Sequence, residues 1–301
     1  MRVLISGAGI AGPTLACWLV RYGFDVTIVE KSPELRTGGY ITDFWGAGFD
    51  VAERMGLLPE LERAGYVVQE VRVLNREGKR IAGFPAQVFD RATKGRYLSL
   101  PRGDLAACIF RHVADRLEPM FGDSIERVEQ RGDTVQVQFL SGAKRDFDLV
   151  VGADGLHSPV RQIVFGGDSR FERYLGYKAA AFETTGYRPR EELAYVMYTE
   201  VGQQIVRFSM RDDRTVFLFT FADPSSGFPA SEDGQKRLLN QRFGTSGWEC
   251  PRILEALDKE SIYFDNVSQV QMPYDNWSRG RVTLLGDAGL VCRCWPDKVQ
   301  P

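Results

Sequence analysis

Apolar residues along this chain come in short bursts separated by glycine turns. Arg2–Ser6 (RVLIS) is a β-branched run that predicts a strand, and it breaks into GAGIAG. PTLACWLVRYG then carries the spacing of an apolar helix ending at Gly23, and DVTIVE predicts a second strand. Strand, turn, helix and strand in that order have the span of a βαβ crossover. The stretch from Ser32 to Gly48 (SPELRTGGYITDFWGAG) reads as a glycine-rich loop, and FDVAERMGLLPELERAG as helix interrupted at Gly56 and Pro59. VVQEVRVLN and KRIAGF pair as a hairpin across REG. LPRGDLAACIFRHVADRL is helical from about Gly103–Asp104. SIERVEQ, TVQVQFL and DFDLVVGADG predict three strands joined by turns at Gly132–Asp133 and Ser141–Gly142. A strand-rich block runs from about Lys178 to Ala222, two helices follow (DGQKRLLNQRFG and PRILEALDKE), and RVTLLGDAG is a last buried strand. Neither repeats nor low-complexity segments interrupt this order.

The pattern is that of an α/β protein with a Rossmann-like parallel sheet and an inserted β-rich domain. The chain has 301 residues, enough for two domains. The expected division is a discontinuous domain (1–72 with 96–170 and 265–301) and a second, β-rich domain (73–95 with 171–264). Net charge is −2, which leaves no electrostatic footprint for nucleic acid, and no apolar run is long enough for a membrane span. MRVLIS enters a glycine turn directly, unlike a signal peptide, and the five cysteines are odd in number and scattered. Both observations point to a reducing cytoplasm. Cys292 and Cys294 are at most half of a metal site, and with only His112 and His157 in the chain no metal is expected. Two histidines also argue against a Ser/His/Asp hydrolase.

Chemistry concentrates in the turns. Gly7-x-Gly9-x-x-Gly12 follows a strand and opens a helix, with Ile10 and Ala11 between the last two glycines. Gly7 permits the tight turn, Gly9 lets backbone approach a pyrophosphate, and Gly12 lets helix pack on strand. The helix N-terminus adds free N–H groups and positive potential. Glu30, followed by Lys31, ends the second strand, where a carboxylate can accept from ribose hydroxyls. Together these predict dinucleotide binding. Asp154 and Asp287 each follow an apolar strand, at the crevice where open α/β sheets place ligands, although Asp is also an ordinary turn residue. Arg36 and Arg102 taken alone read equally as surface charges.

Three further stretches complete a resemblance: LSLPRGDLAA with Arg102, DLVVGADGLHSPVR with Asp154, Gly155 and Arg161, and RVTLLGDAG with Gly286 and Asp287. With GAGIAG they resemble the signatures of single-component FAD-dependent aromatic hydroxylases, the para-hydroxybenzoate hydroxylase class. The branch most similar contains tetracycline-modifying monooxygenases, and the loop LRTGGYITDFWGAGFDVAERMGLL fits it too. The resemblance covers the chain up to Ala288. It implies an FAD enzyme that takes NADPH or NADH as co-substrate and hydroxylates an aromatic or polycyclic small molecule with O2. A reductase on the same scaffold, or an inactive nucleotide-binding remnant, are the alternatives. It also implies that Gly7, Gly9, Gly12 and Glu30 hold the ADP half of FAD. Arg36 and Arg102 would lie beside the cofactor, Asp154 would serve FAD and the passing NAD(P)H, and Asp287 the ribityl or pyrophosphate region. No protein nucleophile is required, so His157 reads as a loop residue.

In such enzymes a β-sheet covers the flavin, which makes Phe208, Met210, Phe217 and Phe219 candidate pocket residues. Alternation alone favours an ordinary sheet core: Phe217, Phe219 and Phe221 share one face, and Phe208 and Met210 share a face as well. Oligomeric state is not legible.

The ending departs from the pattern. After Gly286–Asp287–Ala288 this class continues with an apolar stretch and a Gly-Gln-Gly type turn opening a helix toward the flavin, whereas the chain ends in GLVCRCWPDKVQP. Back-translated and read from the third codon base, Cys294–Trp295 must give Leu and Trp295–Pro296 must give Ala, and the next codons permit Gly-Gln-Gly-Ser-Ala. The expectation is a reading-frame shift near Ala288–Gly289 that weakens flavin binding. A cloning boundary or an unrelated natural tail are the rivals, and nucleotide sequencing separates them.

Overall fold

In the computed structural model the described residues are 1–35, 39–167, 170–273 and 276–291. They divide into two compact units: Met1–Arg36, Ala106–Leu175 and Ser268–Pro301, and Thr37–Leu105 with Gly176–Val267. Both units are discontinuous in sequence. Residues 37–72 and 96–105, however, group with the β-rich unit. The physical reason is strand pairing. Glu70–Leu74 runs parallel to Ala194–Glu200, and Ile41–Trp45 pairs antiparallel with Tyr97–Pro101.

In the first unit, β1 (Arg2–Ser6) leads through a glycine turn into α1 (Ala11–Arg21) and back into β2 (Asp25–Glu30). β1 is the centre of the sheet because it is apolar on both faces; Val3, Leu4 and Ile5 are all buried. The sheet order is Ser278–Arg279, Val282–Leu284, Leu149–Gly152, β1, β2, Glu118–Phe121. All pairs are parallel except the first, with Ile5 opposite both Val151 and Ile28, and Val151 opposite Thr283. That register brings the carboxyl ends Ser6, Glu30, Gly152 and Leu284 to the same edge. A three-stranded antiparallel sheet (Ile125–Arg131, Thr134–Phe139, Lys144–Phe147) packs Val135, Val137, Phe139 and Phe147 around Phe165.

The second unit is built on strands in the order Tyr263–Gln271, Glu172–Thr185, Arg214–Ala222, Gln203–Ser209, Ala194–Glu200, Glu70–Leu74, Arg80–Pro85. The first two run on across the division between the units. One sheet face is covered by helices Glu232–Phe243 and Cys250–Leu257.

Three features differ from the pattern-based expectation. The expected loop from Ser32 to Gly48 contains a strand, β3 (Ile41–Trp45). Its alternation of Ile41, Asp43 and Trp45 against Thr42 and Phe44 was masked by flanking glycines. The expected single strand DFDLVVG is two: Phe147 ends the antiparallel sheet, Leu149 begins the parallel one, and Asp148 between them accepts from the Arg2 amide at 2.6 Å. Glu118–Phe121, Gln87–Thr93 and Tyr263–Gln271 also form elements that carried no clear periodic signal. Among the described residues no helix is long and apolar enough to cross a membrane, and no group of His, Cys, Asp or Glu could hold a metal. Cys292 and Cys294 lie outside the described residues.

Candidate nucleotide-binding site

The glycine turn is tied down at both ends. The Gly7 amide donates to Val29 O at 2.8 Å. Glu30 Oε2 accepts from the Ala8 amide at 2.9 Å and Oε1 from the Ser32 amide at 3.0 Å. The carboxylate thus holds the turn against the end of β2, with lone pairs to spare.

The three glycines are required for different reasons. Gly7 has φ +112°, and a Cβ there would sit 2.5 Å from Ala153 O. At Gly12 a Cβ would sit 2.0 Å from Gly7 O and 3.1 Å from Ile5 Cγ2. At Gly9 a Cβ would meet nothing within 4 Å. Nothing in the protein itself therefore demands glycine at position 9, and the space in front of it is open. Behind it α1 begins at Ala11, with half-buried Ile10 and Ala11 and no side chain capping its first amides. An uncapped helix end facing open space is an anion cradle.

Two further turns meet this one. The Gly7 contact brings in Ala153–Asp154, at the end of the Leu149–Gly152 strand. Asp154 is held inward. Its Oδ2 accepts from Ser6 Oγ and from the Val160 amide, both at 3.2 Å, and its Oδ1 accepts from Ser158 Oγ. Burial pushes its carboxyl above the ordinary range, against the pull of those hydrogen bonds. Gly155 has φ +82° with open space at its Cα. The third turn, Gly286–Ala288, follows Val282–Leu284; Gly286 has φ +60°, and a Cβ there would lie 3.0 Å from Ala11 Cβ. Asp287 is exposed on it. Three of the expected turns thus converge at one edge of one sheet.

Arg161 has a different place from the one expected of a cofactor contact. It is fully buried, with Nη1 donating to Ala288 O at 2.9 Å and Nη2 to Leu156 O at 2.6 Å. The guanidinium laces the Asp154 turn to the Asp287 turn. Ser158, which sequence reading passed over, caps the Pro159–Phe165 helix by accepting from the Arg161 amide at 3.0 Å. The Ser-Pro pair was its available signal. Lys31 and His157 are exposed. Arg102, itself in the second unit, opens the Arg102–Val113 helix, its amide donating to Tyr40 O at 3.1 Å. Arg36 lies outside the described residues.

In the second unit the four aromatic and Met candidates do not stand together. Arg207 is opposite Phe217 and Phe208 opposite Val216, so Phe208 and Phe217 point to opposite faces. Phe217 and Phe219 pack with Phe182, Tyr187 and Phe243 under the helices, which makes them core rather than pocket wall. Phe208 and Met210 are on the other face, with Tyr66, Tyr97, Ile41 and Tyr195.

An open α/β sheet whose glycine turn, helix end and two Asp-bearing turns meet at one edge defines a dinucleotide-binding flavoprotein fold. Residues 1–292 match the FAD binding domain family, and the chain belongs to it. The uncharacterized protein Rv1260 of Mycobacterium tuberculosis is 35% identical over 304 residues, covering 96% of this chain and 78% of that protein. A flavin-dependent monooxygenase of Legionella longbeachae is 30% identical over 301 residues, covering 96% and 74%. Among solved structures, tetracycline destructase Tet(51) superposes with a TM-score of 0.83 at 32% identity, covering 96% of this chain and 74% of that one. Klebsiella pneumoniae HpxO, solved with FAD and uric acid, shares the fold at a TM-score of 0.78 and 24% identity. The family is that of flavin-dependent monooxygenases, and its cofactor is FAD.

Proposed function

We propose that this chain is an FAD-dependent monooxygenase that uses NADH or NADPH and O2 to hydroxylate an aromatic or polycyclic small molecule. The observation that carries the reading is the open face at Gly9, beside an uncapped helix end and ringed by the Asp154 and Asp287 turns. The cradle fits a pyrophosphate: it offers backbone donors, positive potential and room only where Cβ is absent.

In this reading the amides at Gly9–Gly12 hold the pyrophosphate, and Glu30 accepts from ribose hydroxyls with the lone pairs its two amide bonds leave free. Asp287 presents an exposed carboxylate to the sugar or ribityl hydroxyls. Asp154 and Arg161 position the two outer turns. Bound FAD would supply the redox chemistry: hydride acceptance from the nicotinamide and delivery of one oxygen atom of O2 to the substrate ring, the other atom leaving as water. The protein's own work is orientation and exclusion of water.

The test is O2 uptake by FAD-loaded protein with NADH or NADPH, with and without an added phenolic or polycyclic compound. Product is analysed by mass spectrometry under labelled O2. Substrate-stimulated uptake with one labelled oxygen in the product is expected. Saturation of a double bond without label would instead make it a reductase, and nicotinamide oxidation no faster than free FAD gives would leave only nucleotide binding.

A further inference from the structure

The third turn of the site is held by more than the strand before it. Its entry is set by Leu285, whose amide donates to Gly152 O at 2.8 Å, and by Gly286 in the left-handed region at φ +60°. Its exit carries three hydrogen bonds. Arg161 Nη1 donates to Ala288 O at 2.9 Å, the Gly289 amide to Gly286 O at 3.0 Å, and the Met272 amide to Gly289 O at 3.1 Å. Of the four residues from Gly286 to Gly289, Asp287 is the exposed one.

An indole stands against this exit. A Cβ added at Gly289 would lie 2.9 Å from both Cε3 and Cζ3 of Trp277, and 3.3 Å from its Cδ2. That is well inside the separation of about 3.5–4.0 Å at which carbon atoms attract. Gly289 itself has φ −106° and ψ −37°, a right-handed conformation open to L-residues. Glycine is therefore required at 289 by the ring and not by the backbone. The ring is fixed in its turn. Trp277 O accepts from the Leu284 amide at 2.9 Å and from Thr283 Oγ1 at 3.2 Å, which ties it to the strand that feeds the turn. The side chain packs on the core cluster that includes Leu284 and Ala288. Its Nε1 is buried with no partner among the described residues, so the ring acts through its surface rather than its N–H.

We propose that Trp277 is a positioning residue for the flavin: its ring seats the turn from Gly286 to Gly289 so that the Asp287 carboxylate meets the ribityl hydroxyls. This rests on the FAD reading of the site and deepens it. Trp277 acts through Asp287 rather than on the ligand. The ADP half, assigned to the Gly7–Gly12 turn and Glu30, lies outside its influence. Displacing or loosening the Asp287 turn therefore weakens FAD and leaves ADP unaffected.

The experiment compares four forms of the full chain: wild type, Gly289→Ala, Trp277→Phe and the double variant. Flavin fluorescence gives Kd for FAD, and calorimetry gives Kd for ADP. Gly289→Ala pushes a methyl into the indole and shifts the turn, with an expected loss of about ten-fold for FAD and none for ADP. Trp277→Phe lacks the ring atoms that meet Gly289 and breaks no side-chain hydrogen bond among the described residues. It should also weaken FAD alone. The phenyl leaves room for the methyl, so the double variant should bind FAD within about two-fold of Trp277→Phe, whereas independent sites would multiply their losses. A single variant that binds FAD like wild type, FAD and ADP falling together, or multiplied losses would each overturn the assignment. Should Gly289→Ala not fold, as judged by circular dichroism, folding of the double variant supports the contact and its failure opposes it. Wild type that binds no FAD would defeat the flavin reading and this inference together. Wild type that binds FAD beside unaffected variants would defeat the inference alone.

Discussion

Gly9→Ala should separate folding from flavin binding. The added Cβ meets no protein atom within 4 Å, and Gly9 does not adopt the left-handed backbone that would strain an alanine. Replacing glycine under those conditions restricts the unfolded chain and raises stability by about 0.4–1 kcal/mol. The same methyl intrudes where a pyrophosphate would approach, and forcing a methyl into a packed contact costs about 1–3 kcal/mol. That corresponds to roughly 5- to 150-fold in Kd for FAD. Gly12→Ala is the opposite case. Its Cβ would lie 2.0 Å from Gly7 O, so α1 must move off β1 and the fold loses about 1–3 kcal/mol before any ligand is added. The assay is a urea or thermal melt of the protein without FAD, paired with an FAD titration followed by flavin fluorescence. Gly9→Ala should melt with or slightly above wild type and bind FAD weakly, whereas Gly12→Ala should melt below it. If Gly9→Ala binds FAD like wild type, or is destabilised as much as Gly12→Ala, the cradle assignment is wrong.

Other changes test the supporting structure. Arg161→Met leaves the Ala288 and Leu156 carbonyls without their donor and should cost about 1–3 kcal/mol in a denaturant melt, even without FAD. Asp154 has a folded-state pKa raised by burial, so stability should fall as pH rises from the unfolded carboxyl range through that raised value. Asp154→Asn should flatten this slope in melts taken across the acidic range. Phe217→Ala empties a fully buried core position and should cost about 3–5 kcal/mol, showing as a large loss of denaturation midpoint. Burial pushes the Cys250 thiol up to about 12, so native protein should leave Cys250 unalkylated at mildly alkaline pH, as read by peptide mass spectrometry.

The glycine turn was legible because glycine identity, strand and helix period all carry the same message at Gly7–Gly12. The Asp154 and Asp287 turns could be read for a related reason: each follows a largely apolar strand, as a sheet covered on both faces permits. What sequence hid depends on long-range partners. Arg161 looks like a cofactor cation in SPVR, yet its place is set by the Ala288 carbonyl 127 positions away. Phe208 and Phe217 both sit in alternating strands, and only their cross-strand register shows that they face opposite ways. Asp43 lay in an apparent glycine loop, and the Tyr97, Ser99 and Tyr195 hydroxyls it accepts from come from two other strands. The grouping of 37–72 with the β-rich unit likewise follows from pairings between distant strands.

The most direct test is the absorption spectrum of the purified full chain after incubation with FAD and removal of free ligand. It is taken again under argon with NADPH or NADH, and once more after air is readmitted. The account predicts protein-bound flavin, below one per chain as the weakened binding expected from the altered ending requires, bleached by the nicotinamide and restored by oxygen. A colourless protein that retains no FAD would contradict it.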